Sequence, residues 1–394
     1  MQKIFLTITF FALWGLLFSC KEDEIVPTKS CSIDFVDTSS VHPKATLFQS
    51  VIDEYTQKGL PGISLLVRDA SGLWVGASGM ADIEKGIPME PCHVSKVASV
   101  TKLFIGVLVM QEVEKGVLGL DDPIAQWLTD EDIKDVENAD QVTLRQLLNH
   151  TSGIFDVITD NNFYLAVLND PGKFWTPKEL LKFVRNRPAV FPPGTDVEYS
   201  NTNLLYASMV LEAATGQSHA KLLRDNILTP LGMNNSYYHW HESLPDFVAQ
   251  GYFDLYNDGT ILNLSNLNTG SGNGYGGLYS TVHDMKTFIE ALLVKKSLMS
   301  QASLDIMTTI TTASFSEDEL YGVTIRKDFL NGAPDAYGLG HRGRDLGYTA
   351  DLFYFPNQDI TMAYLINYGT DAKSSLREVF YDFREAIYEA MIEE

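Results

Sequence analysis

A serine hydroxyl is a useful nucleophile only when a base takes its proton, so the informative places in this chain are those that hold a serine beside a candidate base. Ser99 and Lys102 lie three residues apart in Ala98-Ser99-Val100-Thr101-Lys102-Leu103-Phe104, at the start of an apolar run. On a helix, positions i and i+3 share a face, which brings hydroxyl and amine within hydrogen-bonding reach. A lysine becomes a base when burial lowers its pKa, and Val100, Leu103 and Phe104 are apolar neighbours that could bury it. The helix N-terminus, with roughly half a positive charge, favours both an oxyanion and a neutral amine. Spacing alone does not single out Ser99. Ser218-His219-Ala220-Lys221 repeats it, and there Ser218 reads as the cap of a helix that follows Gly216. Two other stretches give Ser99 company: Tyr199-Ser200-Asn201, the one Tyr-x-Asn of the chain, and His341-Arg342-Gly343, the one His-x-Gly.

The elements that must position these groups follow from periodicity. Leu47, Val51, Ile52 and Tyr55 recur at helical spacing before Gly59 and Pro61, and strands over 62–67 and 73–77 turn at Ser71-Gly72. The Ser99 helix carries Leu103, Phe104, Val107, Leu108 and Met110. From 119 to about 270, helical patterns alternate with loops rich in Asp, Asn, Gly and Pro, the clearest helix being Leu204 to Ala214. Strands over 349–355 and 360–366 and an amphipathic helix over 374–392 close the chain. The simplest closure is one antiparallel sheet built from both chain ends and flanked by helices, an α/β domain of 43–118 with 275–394. An all-α insert domain over 119–274 then stands apart from it.

With 394 residues and 45% hydrophobic content the chain can bury a large core, and a net charge of −22 excludes a broad nucleic-acid surface. The N-terminus reads as a processing signal over 1–19: Lys3, then an apolar run from Ile4 to Leu17 that is short for a membrane span. Leu17-Phe18-Ser19-Cys20 resembles a bacterial lipobox, which implies cleavage before Cys20, lipidation of that cysteine and anchoring to a membrane outside the cytoplasm. Lys21-Glu22-Asp23-Glu24 is similar to the charged signature that sends some lipoproteins to the cell surface. Residues 20–42 read as a flexible tether. An oxidising compartment would permit Cys31 to pair with Cys92, but free thiols are expected, because Cys31 lies in the tether and no spacing constrains the distance between the two.

Ser99-x-x-Lys102, Tyr199-x-Asn201 and His341-x-Gly343, in this order, resemble the three motifs of the penicillin-recognising serine hydrolases: class C β-lactamases, D-stereospecific peptidases and related esterases. Leu144 to Gly153 and Gly276-Gly277-Leu278-Tyr279-Ser280-Thr281 agree with the resemblance, which spans about 45–390. It implies a β-lactamase/transpeptidase-like fold in which Ser99 forms an acyl-enzyme. Lys102 and Tyr199 would share the proton, and which of them takes it first stays open. Asn201 would hydrogen-bond the substrate and His341 would face it. Gly343 would keep the strand walling the site open, and the backbone amides of Ser99 and Arg344 would form the oxyanion hole.

Departures from the family pattern bear on substrate. Most β-lactamases of this kind carry Lys-Thr-Gly where this chain has His341-Arg342-Gly343, which is closer to the peptidases and esterases. Arg342 and Arg344 flank the histidine: one could bind a terminal carboxylate, or alternation along the strand could point them at solvent. The expected activity is hydrolysis of D-amino-acid peptides, peptidoglycan fragments or small esters. The alternatives are a class C-like β-lactamase or a weakly catalytic binding or sensing lipoprotein. His150 is expected to hold a loop. His239 and His241 are too few for a metal, so neither metal nor cofactor is expected. The expected partners are a small-molecule or peptide substrate and, through Cys20, a membrane; a monomer is expected, and no nucleic acid.

Overall fold

Alternation along the strands decides the architecture. In Gly62–Asp69, the residues Ile63, Leu65 and Val67 face one core while Leu66 joins another, so the strand is covered on both sides. The computed structural model describes residues 27–31, 41–311, 320–330 and 335–392; the leader over 1–19 and Cys20 lie outside them. A seven-stranded sheet runs in the order Ile87–Pro88, Gly72–Asp82, Gly62–Asp69, Ile360–Ile366, Tyr348–Phe355, Gly338–Asp345, Arg326–Asp328. Every neighbouring pair is antiparallel, and Ile63 opposite Ile366 joins the early strands to the late ones. Helices flank this sheet, as the fold class expected from sequence requires.

One face is covered by the helices Ala45–Gln57 and Arg377–Ile392, whose Tyr55 and Phe383 rings meet edge to face at 5.5 Å. The other face receives the helix Thr101–Glu114, whose residues from Thr101 through Met110 are all buried. Its apolar residues surround the axis instead of forming a stripe, as a fully enclosed helix requires. Phe104 stacks on Phe288 with ring centroids 3.6 Å apart, and Gly106 admits Thr324 so closely that a Cβ there would lie 1.8 Å from the threonine hydroxyl. The helix Asn201–Thr215 packs beyond it and ends at Gly216 with φ 68°, a left-handed stop that glycine adopts without steric cost.

Ser99 precedes the α-helix, in a single 3-10 turn over Ala98–Val100. The turn is anchored below by a three-stranded sheet of Ser95–Lys96, Leu278–Ser280 and Tyr237–Tyr238, with the Val97 N–H donating to the Leu278 carbonyl at 2.9 Å. Ala98 takes φ 47°, unusual for a residue with a Cβ, and its carbonyl accepts the Thr101 hydroxyl at 2.7 Å.

The cysteine expectation is corrected. Cys31 and Cys92 form a disulfide, with Cα atoms 5.9 Å apart. What brings them together is packing that spacing cannot encode: residues 27–31, read as part of a flexible tether, lie against the body. The Val248 N–H donates to the Pro27 carbonyl at 3.1 Å, Thr28 is buried, and His93 Nε2 lies 3.0 Å from the Lys29 carbonyl. The bond closes a loop of 61 residues. On a chain-entropy estimate, opening it with a reductant or with Cys31→Ser and Cys92→Ser costs about 4 kcal/mol. Urea unfolding of the oxidised and reduced forms measures this, and coincident midpoints would contradict a stabilising role.

Candidate active site

Three separate parts of the chain converge on one amine. Lys102 Nζ lies 2.9 Å from Ser99 Oγ, 2.7 Å from Asn201 Oδ1 and 2.7 Å from the Tyr275 carbonyl oxygen. The side chain is fully buried. Burial lowers its pKa to about 7, against the opposing pull of Asp156, Asp345 and Asp371. A neutral amine has two N–H bonds and one lone pair. Two of the three neighbours, a carboxamide oxygen and a carbonyl, can only accept, so they take the two N–H bonds and leave the lone pair for Ser99.

Asn201 begins the Asn201–Thr215 helix, and Asp156 sets its direction. The Asn201 backbone N–H donates to Asp156 Oδ1 at 3.0 Å and its Nδ2 donates to Oδ2 at 3.0 Å, which turns Oδ1 toward Lys102. Asp156 is buried, and burial raises its pKa to about 6, while its hydrogen bonds from Asn201 and Ile158 and the charge of Lys102 oppose the rise. Sequence reading did not single it out. An aspartate three residues past the Gly153 turn carries no spacing signal, and only its place among apolar Ile154, Phe155 and Val157 sets it apart.

Tyr199 reaches the site from the loop before that helix. His150 holds the loop, as expected: its backbone carbonyl accepts the Glu198 N–H at 3.0 Å, its Nδ1 accepts the Ser200 N–H at 3.2 Å, and its ring lies 4.5 Å from that of Tyr199. The Tyr199 hydroxyl is buried beside Ser99 without completing a hydrogen bond in this geometry. Burial and the neighbouring Tyr321 lift the phenol well above its usual range, and Ser99 opposes them.

The strand Gly338–Asp345 supplies the far wall. His341 is buried, with Nδ1 2.5 Å from the Arg342 carbonyl oxygen and Nε2 without a partner. Burial, then the charge of Lys102, lowers its pKa to about 3, so the ring is neutral. Gly343 marks the closest approach of this strand to the serine segment: a Cβ there would lie 2.1 Å from the Val97 carbonyl oxygen. Both arginines of this strand line the cavity and are held by acids of the sheet. Arg342 Nη2 donates to Asp328 Oδ1 at 2.6 Å, and Arg344 Nη1 donates to Asp351 Oδ1 at 2.7 Å, so both guanidinium groups are paired with carboxylates of neighbouring strands. Alternation places them on strand faces, but whether the far side is solvent or an acid depends on tertiary packing.

Ser99, Tyr199, Asn201, His341 and Arg344 line one cavity of about 370 Å³, together with Asp156, Tyr164, Tyr275, Asp345 and Asp371. Lys102 reaches it through Ser99. The second Ser-x-x-Lys pair stays apart, with Ser218 capping its helix by accepting the Lys221 N–H. His239 stacks on Trp240 at 4.7 Å between ring centroids, and His241 Nε2 lies 2.9 Å from the Gly272 carbonyl, so both rings serve packing.

Comparison with known proteins places this constellation in company. The Beta-lactamase family model matches residues 48–383. Penicillin-binding protein 4 of Amycolatopsis lactamdurans is 29% identical over 340 residues, covering 82% of this chain and 85% of the relative. Penicillin-binding protein 4* of Bacillus subtilis is 26% identical over 345 residues, covering 83% and 72%. Among solved structures, D-amino acid amidase from Ochrobactrum anthropi SV3, complexed with L-phenylalanine amide, superposes with a TM-score of 0.77 at 26% identity, covering 88% of this chain and 97% of the other. A D-stereospecific amidohydrolase from Streptomyces gives 0.76 at 27% identity, with 88% and 98% covered.

Asp156→Ala tests the polar scaffold independently of any activity. It leaves the buried Asn201 donors unpaired and is expected to cost about 2–3 kcal/mol of stability, whereas Ser99→Ala should cost under about 1 kcal/mol. Equal losses in urea unfolding would show that the network holds nothing.

Proposed function

The chain belongs to the beta-lactamase family of serine hydrolases, and on that premise we propose that it hydrolyses D-amino-acid amides and peptides, peptidoglycan fragments or small esters through an acyl-enzyme on Ser99. The proposal includes a place in the cell envelope, anchored through a lipidated Cys20. The observation that carries the reading is the Lys102 amine, brought to about 7 by burial and held 2.9 Å from the serine hydroxyl. Its two other contacts are acceptors that direct its lone pair at that hydroxyl.

In this reading Lys102 takes the first proton, since the buried Tyr199 phenol binds its own too tightly to act as a resting base. Ser99 Oγ bonds to the substrate carbonyl carbon as its proton passes to Nζ, and the carbonyl electron pair moves onto oxygen. The backbone N–H groups of Ser99 and Arg344 receive that oxyanion. On collapse the leaving amine or alkoxide departs with a proton delivered by the Tyr199 hydroxyl, which is replenished from the Lys102 ammonium. Water then attacks the acyl ester, giving its proton to the same base, and Ser99 leaves with a proton returned to its oxygen. The neutral His341 in place of a lysine, and the amidases among the similar structures, support amide and ester substrates over β-lactams.

Labelling, turnover and pH dependence check this. A fluorophosphonate probe should label Ser99 in the purified protein, and p-nitrophenyl esters and D-amino-acid amides should be turned over faster than a chromogenic cephalosporin. Lys102→Ala should lower kcat/KM by about 10³-fold. Absence of labelling, together with no turnover on any of these substrates, would overturn the proposal. Because the neutral amine is the active form, kcat/KM should fall as pH drops through about 7. Asp156 raises the Lys102 pKa, so in Asp156→Asn the residual activity should show this limb at lower pH.

A further inference from the structure

The polar groups of the cavity are unequally occupied. Its cations are engaged: Arg326 pairs with Asp328 at 3.3 Å, Arg342 pairs with the same carboxylate, and Arg344 pairs with Asp351. Two of its three acids are engaged as well, Asp156 by Asn201, and Asp345 by Lys96 at 2.8 Å and by the Thr269 hydroxyl at 2.8 Å. The third, Asp371, is exposed and enters no ion pair among the described residues. Its charge is felt at both Lys102 and Tyr199, which puts it within electrostatic reach of the reacting centre.

His341 makes an independent case. Its Nδ1 faces the Arg342 carbonyl at 2.5 Å, a contact that requires the proton on Nδ1. Nε2 then carries a lone pair, and it is buried with no partner in a ring that lines the cavity. A lone pair accepts an N–H and repels a carboxylate. An unpaired acid and an unpaired acceptor ask for the same thing, a donor with positive charge. The arginines that a terminal carboxylate would need are each already held by a carboxylate of the protein.

We propose that this cavity selects substrates with a protonated amine beside the scissile carbonyl, using Asp371 as counter-ion and His341 Nε2 as hydrogen-bond acceptor. This rests on the acyl-enzyme reading and narrows it to aminoacyl amides and esters with a free amino group, at the expense of carboxylate-terminated peptides and N-acylated compounds. Asp371 acts by binding and takes no part in bond making.

The test compares three p-nitroanilides that differ only at the amine: D-phenylalanine, its N-acetyl derivative and its anionic N-succinyl derivative. The free amine should be preferred at least tenfold in kcat/KM over N-acetyl, and N-succinyl should be the poorest. Asp371→Asn should lower the ratio of free-amine to N-acetyl kcat/KM at least tenfold, and Asp371→Lys should turn the preference toward N-succinyl. Equal or better turnover of the acylated compounds would overturn the proposal, as would an unchanged ratio in Asp371→Asn or no turnover of any of the three by protein whose Ser99 still reacts with fluorophosphonate. If Ser99 does not react at all, it is the acyl-enzyme reading that fails.

Discussion

The burial of one lysine amine is the constraint from which most of this site follows. Removing an ammonium group from water is costly unless it is paired or gives up its proton, and the enclosed Thr101–Glu114 helix leaves Lys102 no route to solvent. The surroundings supply oxygens in place of a direct counter-charge: those of Ser99, Asn201 and Tyr275. They satisfy its hydrogen bonds in either protonation state, while the carboxylate that acts on it most strongly, Asp156, is spent on Asn201. Satisfaction without full neutralisation leaves the amine near 7, where it can both lose and regain a proton. A direct ion pair would have kept it charged, and an apolar site would have left its polar contacts unmet.

The fold meets this constraint through close approaches of backbone rather than through large side chains. Gly106 lets Thr324 touch the buried helix, and Gly343 lets the His341 strand meet the Val97 carbonyl. Each shortens the distance between a rigid element and the serine turn. The turn is fixed from below by Val97 on Leu278 and from within by Thr101 on the Ala98 carbonyl. Groups from the sheet, the buried helix and the Asn201 helix thus stand at fixed distances from one another before any substrate arrives, the pre-organisation that catalysis by positioning requires.

What was legible in the sequence was the set of groups whose spacing is local or whose pattern is long. Ser99 and Lys102 share a helix turn, the strands over 349–355 and 360–366 alternate in register, and Gly216 stops its helix where periodicity says it should. What was illegible depends on contacts between distant segments. Asp156 looks like any loop acid until Asn201 folds onto it. The partners of Arg342 and Arg344 sit on neighbouring strands, and the choice between solvent and an acid is made by packing on the far side of the sheet. The Cys31–Cys92 pair depends on Pro27 to Cys31 lying along Val248, which composition presents as a tether.

The arginines of the His341 strand are drawn into a network bridged by two acids. Asp328 receives Arg326, Arg342 and Arg384, and Asp351 receives Arg344, Arg384 and the Tyr364 hydroxyl at 2.6 Å, so Arg384 ties the two acids into one partly buried network behind the His341 strand. Three arginines beside Asp328 hold its carboxyl well below the usual range despite burial. Such networks contribute little net stability, because desolvation offsets the attraction. Their consequence here is geometric: the strand bearing His341 is pinned by its flanking arginines, which line the cavity while bound to Asp328 and Asp351. Guanidinium groups that sequence alone would offer to a substrate carboxylate already hold carboxylates of neighbouring strands, while the His341 Nε2 beside them is left without a partner.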